Sequence, residues 1–98
     1  MDFRISFTLE ASAQLDQIIN FLKDDWSEKT AKEFLLKINS KLNFINEFPF
    51  LYHLTEYRED VRKCVVAKQV SLYYEIKENG ILILSVFDSR QSPENLKL

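Results

Sequence analysis

The apolar run Ile81–Phe87 stops on Asp88, Ser89 and Arg90, with Pro93 close behind. A carboxylate, a hydroxyl and a guanidinium where a strand hands over to a loop are well placed for chemistry, because a rigid element fixes what the loop presents. The planar fork of Arg90 suits a partner's carboxylate, or an ion pair inside its own fold with Asp88 or Glu94. A second basic group lies in "RKCVVAK", residues 62 to 68, which has three positive charges and no negative one. Neighbouring strand residues face opposite sides, so one of Arg62 and Lys63 projects towards a partner-binding cleft. The structural reading is that both are solvated edge charges that oppose aggregation. Lys68 belongs in the turn before Val70. Arg62, Lys63, Lys68, Asp88 and Arg90 are therefore the candidate target-binding residues. His53 is the single histidine, a residue type suited to general acid–base work, but it lies in an irregular stretch without a clear carboxylate partner. No catalytic set stands out from the residues themselves.

These groups must be positioned by the surrounding elements. "FRISF" alternates Phe3, Ile5 and Phe7 against Arg4 and Ser6, the period of a strand covered on one side. Thr8 can cap a helix with Glu10 in its first turn. In that helix Ala11, Leu15, Ile18 and Leu22 share a face, with Asp16, Gln17 and Asn20 away from it. Ser27 reads as the next N-cap, with Trp26 placed to pack back over the junction. The second helix aligns Ala31, Phe34, Leu35, Ile38, Leu42 and Ile45, and Pro49 ends it near Phe48. Leu36 and Phe44 fall off that stripe, and exposed apolar side chains on a helical hairpin can mark a partner surface. After an irregular "PFLYHLTEYRED" come three strands, "VRKCVVA", "VSLYYEI" and "ILILSVF". Tyr73 and Tyr74 face opposite sides of the second of these; Tyr74 is assigned to the core, and Tyr73 is free to meet a partner. Asn79-Gly80 as a two-residue loop predicts a type I′ hairpin. The strand from Ile81 is apolar on both faces, as a central strand is. The predicted fold is α+β, in the order β-α-α-β-β-β, with an antiparallel-rich sheet of about four strands and a helical hairpin on one face.

Composition narrows the class. Ninety-eight residues, 46% of them hydrophobic, with eight phenylalanines, one glycine and two prolines, exclude a disordered or low-complexity chain. One domain over residues 1–98 is expected to fold around a single core. The single cysteine, Cys64, leaves no internal disulfide and no thiolate cluster, so no metal or other cofactor is expected. A net charge of −2 argues against binding nucleic acid by bulk electrostatics. The start "MDFRISFTLE" does not read as a signal peptide, and no apolar run approaches the ~20 residues of a membrane span. A reduced, cytoplasmic setting follows as the expectation.

The ordered set of a short strand, a helical hairpin, a strand beginning "VR", a strand ending "YYEI", an "NG" turn, an apolar strand and the terminal "FDSRQSP" resembles the RelE/ParE family of toxins from bacterial type II toxin-antitoxin systems. The resemblance spans residues 3 to 96. It implies a growth-inhibiting toxin neutralised by a cognate antitoxin, whose extended or helical segment wraps the toxin and masks its active surface. Leu36, Phe44 and Tyr73 are then candidates for antitoxin contact, and a homodimer or a hetero-oligomer with antitoxin is possible.

The family divides by target. RelE-like members cut mRNA on the ribosome, whereas ParE-like members inhibit DNA gyrase. Cleavage needs an activated 2′-hydroxyl, a stabilised phosphate and a protonated leaving group. RelE-like chains supply these largely with arginine, lysine and a tyrosine near the C-terminus. The position of the arginine that precedes their Leu/Val-Tyr pair falls here on Ser71. No tyrosine follows Tyr74, and Arg90 is the lone arginine after the last strand. A nuclease built on this chain would have to use Arg62, Lys68 and Arg90. The resemblance therefore favours the ParE-like branch, with the ribosome-dependent endoribonuclease and a degenerate, non-toxic binding module as alternatives.

Overall fold

A computed structural model describes residues 3 to 98. Strand β1 (Arg4–Phe7) leads into helices α1 (Leu9–Asp25) and α2 (Glu28–Glu47), followed by strands β2 (Val61–Ala67), β3 (Val70–Lys77) and β4 (Gly80–Asp88) and a short 3₁₀ turn at Pro93–Asn95. The fold is the predicted α+β arrangement. Sheet order is β1-β4-β3-β2, with β1 parallel to β4 and the other neighbours antiparallel. The doubly apolar β4 is thus central, as its sequence requires.

The helix starts follow from their caps. Thr8 Oγ1 accepts from Ala11 N–H at 3.0 Å, and Ser27 Oγ accepts from Thr30 N–H at 3.0 Å, each satisfying an amide that has no partner within its helix. The Thr8 backbone N–H also donates to Ile83 O at 3.0 Å, so this cap ties the start of α1 to the sheet. Ala11, Phe34, Ile38 and Ile45 bury their side chains against Cys64, Leu72, Tyr74, Ile81, Ile83 and Val86. Leu35, expected on that stripe, lies at its margin and is exposed.

Two register shifts shape the sheet. On β4, Tyr73 pairs with Ser85 and Tyr74 with Ile83, leaving Leu84 as an extra residue. Gln14 of α1 fills the resulting gap: its Oε1 accepts from Ser85 Oγ at 3.1 Å and from Val86 N–H at 2.8 Å. A bulge that would leave ladder groups unmet is thereby turned into the anchor of a helix. The opposite face carries Val61, Tyr73 and Phe87, covered by Leu84 and by Leu96 and Leu98 of the C-terminal tail. Tyr73 is only 3% exposed. The sequence reading left it free for an antitoxin, and the tail folded beneath the sheet is the reason it is buried instead.

The hairpin at Asn79-Gly80 is also corrected. Lys77 pairs with Gly80, so the two loop residues are Glu78 and Asn79, and neither Asn79 nor Gly80 has a positive φ. A type I′ turn requires positive φ at both loop positions, so the turn is of another type. Gly80 is needed for a different reason: a Cβ there would lie 2.5 Å from the backbone oxygen of Arg4, where β1 crosses beside the start of β4. Gly80→Ala is expected to push the two strands apart and cost about 1–3 kcal/mol, read as a lower urea midpoint. An unchanged midpoint would show that β1 yields freely. Among the described residues the positive φ of 64° belongs to Asp60, a short polar residue that tolerates this region, where the chain turns into β2.

Candidate functional site

The end of the sheet that carries Asp88 opens into a cleft of about 570 Å³ between the helical hairpin and the β2–β3 turn. Its floor is apolar, with Ile18, Leu22, Phe34, Val70 and Val86, and its rim carries Phe21, Trp26, Lys37, Lys68 and Arg90. Lys68 and Gln69 form the two-residue link between β2 and β3. Ser89 N–H donates to Gln69 O at 2.7 Å, holding the end of β4 against that link. Trp26 follows the last residue of α1 and its N–H donates to Leu22 O at 3.0 Å. It does not pack over the hairpin junction as the sequence suggested: it is 72% exposed and stands at the mouth of the cleft, because the tight Trp26–Ser27 connection leaves no surface beneath it.

"DSR" is a self-closing turn. Asp88 Oδ1 accepts from Arg90 N–H at 2.9 Å and from Arg90 Nε at 3.0 Å, and Oδ2 accepts from Nε at 3.1 Å and from the second guanidinium nitrogen. Of the two uses open to Arg90, the pair inside its own fold is the one present. Its guanidinium also lies 5.9 Å from the centroid of the Phe21 ring, a cation–π distance. The Arg90 hydrogen bonds hold the Asp88 carboxyl below its usual pKa, against a smaller opposing effect of burial. A carboxylate whose folded-state pKa is depressed stabilises the fold above its unfolded pKa of about 3.9, and the contribution is lost as pH falls through the folded value. Asp88→Asn is therefore expected to lower the urea midpoint at pH 7, with the gap to the parent chain closing below about pH 4. A gap constant with pH would contradict this assignment.

The cleft's charged groups are Lys37, Lys68, Asp88 and Arg90, three cations to one anion in a chain whose overall charge is −2. The candidates Lys68, Asp88 and Arg90 are brought together here. Arg62 is not: its guanidinium donates to the carbonyls of Phe50 at 3.3 Å and Tyr52 at 2.6 Å and lies 5.4 Å from the Phe50 ring. It fastens the 50–52 loop to β2. Lys63 is on the other face, 5.9 Å from the Tyr73 ring. The triad Arg62, Lys68 and Arg90 that a nuclease would require is thus divided between two places. Leu36 is 68% exposed on α2, away from the cleft, and the Phe44 ring contacts those of Phe48 and Tyr52.

Burial is the main cause that lifts the Tyr52 phenol to about 12, with Cys64 adding to it. Burial likewise raises the Cys64 thiol and the Tyr74 phenol. These groups stay protonated near neutrality, and Tyr74 donates to Pro49 O at 2.8 Å. They build the core under the loop and are no source of a nucleophile. His53 is exposed, and its backbone carbonyl accepts from Lys63 N–H at 3.1 Å.

Sequence reasoning missed Phe21, Trp26 and Lys37. Phe21 lies off the stripe of α1, and that position was its one available signal. Lys37 reads as one solvated helix lysine among several, and its place at the cleft depends on the sheet beneath it.

A family model described as the ParE toxin of the type II toxin-antitoxin system, parDE, matches residues 5–93. Among solved structures, the fold is similar to that in the chromosomal ParDE system from P. aeruginosa, with 17% identity, 88% of this chain and 95% of that one covered, and a TM-score of 0.75. It is also similar to the YoeB dimer from Staphylococcus aureus, at 18% identity, 89% and 97% coverage and a TM-score of 0.63. The E. coli DinJ–YafQ toxin-antitoxin complex aligns at 8% identity, with 92% and 96% coverage and a TM-score of 0.63. No curated protein matches by sequence. At these identities the structural likenesses establish the fold.

Proposed function

The chain belongs to the ParE family of toxins of type II toxin-antitoxin systems, and from that premise we propose that it acts in the ParE manner, by seating a protein target, DNA gyrase, on its cleft. A cognate antitoxin neutralises it by covering the same surface. The observation that carries the reading is the character of the cleft: an apolar floor, two aromatic rings at the rim, and a single carboxylate, Asp88, already bound by Arg90. Apolar floors with aromatic and arginine anchors suit protein surfaces. A phosphate backbone is held by convergent cations, and RNA cleavage also needs a free acid or base. Here Arg62 is engaged with loop carbonyls, and the Asp88–Arg90 pair occupies both partners.

The test is expression from a tight promoter, with and without the antitoxin, following growth, plasmid topology and transcript integrity together. Growth arrest with relaxed plasmid and intact transcripts, all reversed by antitoxin, is the expected result. Arrest with transcripts cut at ribosomes would overturn it in favour of the RelE-like branch. No arrest would point to a binding module without toxicity.

A further inference from the structure

Two exposed apolar surfaces lie at opposite ends of strand β2, about 20 Å apart along its seven residues. One is the cleft at the Ala67 end, with Phe21 and Trp26 at its rim. The other is the connection that leads into Val61, where Phe50 and Leu51 are each 63% exposed, Leu54 56% and Tyr57 58%. A fastened backbone holds these side chains outward. Arg62 donates to the carbonyls of Phe50 and Tyr52, Tyr74 to that of Pro49, and Thr55 N–H to Val61 O. A segment anchored at so many points keeps its apolar groups in water, and a surface already ordered loses little freedom when it is covered. Exposed apolar groups gathered in this way mark a contact surface.

Charge selects the occupant. Residues 47 to 60 hold Glu47, Glu56, Glu59 and Asp60 against Arg58, and Arg58 is taken by Glu75 at 3.3 Å. All four carboxylates are exposed, and none enters an ion pair among the described residues. In the cleft the Asp88–Arg90 pair closes on itself, which leaves Lys37 and Lys68 as cations without an ion pair among the described residues. Loop against loop would set carboxylates against carboxylates, and cleft against cleft would set lysines against lysines. Both arrangements are repelled. Loop against cleft joins opposite signs and brings the exposed Phe50 and Leu51 onto an apolar floor. The chain carries both halves of one contact.

We propose that the 48–60 loop of one copy of this chain seats in the cleft of a second copy, head to tail. Phe50 and Leu51 lie over the apolar floor, and Glu56 and Glu59 meet Lys37 and Lys68 of the second copy. Contact surfaces at opposite ends of β2 leave a free loop and a free cleft on every pair, so the contact extends to further copies instead of closing on itself. The occupied cleft is the surface proposed to seat the target, so assembled chain is masked chain. That consequence rests on the toxin reading; the contact between copies rests on the two surfaces alone.

The test is sedimentation velocity of the full chain alone, from about 5 to about 500 μM, because a contact below ~1,200 Å² is weak and populated by mass action. The mean mass is expected to rise past that of a dimer as concentration increases. Glu56→Lys combined with Glu59→Lys, and separately Lys37→Glu combined with Lys68→Glu, are each expected to weaken association roughly tenfold. Mixed in equal amounts, the two variants offer each other one parental contact and one with its signs exchanged. Association is expected to return to that of the parent. If a charge reversal does not fold, Leu51→Ser and Trp26→Ala take its place: each alone is expected to stay monomeric, and their mixture to stop at a dimer. A parent that is monomeric throughout, a parent dimer that grows no further, or a mixture no more associated than its components would each overturn the proposal. Neither target nor antitoxin enters the experiment, so its failure and the failure of the toxin reading are separate results.

Discussion

Trp26→Ala is expected to weaken target binding by about 2 kcal/mol or more, roughly 30-fold, while leaving the urea midpoint unchanged. An indole at the mouth of an apolar cleft has the makings of an interface anchor, because it is rigid, large and free to be desolvated by a partner. Trp26 is exposed and lies outside the buried clusters on both faces of the sheet, so its removal leaves no cavity in the fold. Titration of the parent and variant against the target by calorimetry, with a melt of each alone, separates the two effects. Equal affinity of parent and variant would move the contact surface away from the cleft. A lowered midpoint with proportionate loss of affinity would make Trp26 a structural residue.

The largest stability effect is expected at Tyr74. Its ring is fully buried among Ile38, Ile45 and Leu72, meets Tyr52 edge-on with centroids 6.5 Å apart, and its hydroxyl donates to the buried Pro49 carbonyl. Tyr74→Ala removes the ring and leaves a cavity, at about 3–5 kcal/mol, a large part of the 5–15 kcal/mol typical of a domain. Tyr74→Phe keeps the ring and leaves the Pro49 carbonyl without its donor, at about 1–3 kcal/mol. Urea denaturation of the three proteins gives both differences. A phenylalanine variant as stable as the parent would mean that the 49–52 loop is held by Arg62 and the aromatic contacts alone.

How much of this was legible in the sequence depended on the range of the physics involved. Thr8 and Ser27 were readable as caps because a cap is a local hydrogen bond, satisfied within three residues. The stripes of α1 and α2 and the central place of β4 followed from periodicity, which a single face or two faces of burial impose. Gly80 was read as a turn residue, when its role is to admit the backbone of Arg4, 76 positions earlier in the chain. Tyr73 looked free because its cover, Leu96 and Leu98, comes from a tail with no period of its own. Asp88 and Arg90 were found because strand-to-loop polarity is a local signal. Arg62 was grouped with Arg90 because it too is basic, yet only topology decides that β2 starts at the opposite end of the sheet from the Asp88 cleft. Trp26 was placed over the helix junction because it directly precedes the Ser27 cap, and the shortness of the hairpin connection turned it out.

Central to the account is that the cleft between the helical hairpin and the β2–β3 turn inhibits a protein target without cutting RNA. The most direct measurement is the supercoiling of relaxed plasmid by purified DNA gyrase titrated with the purified chain. The account predicts dose-dependent loss of supercoiling, restored by antitoxin and blunted by Trp26→Ala. Full supercoiling at saturating protein, with mRNA cut when ribosomes are supplied in its place, would contradict it.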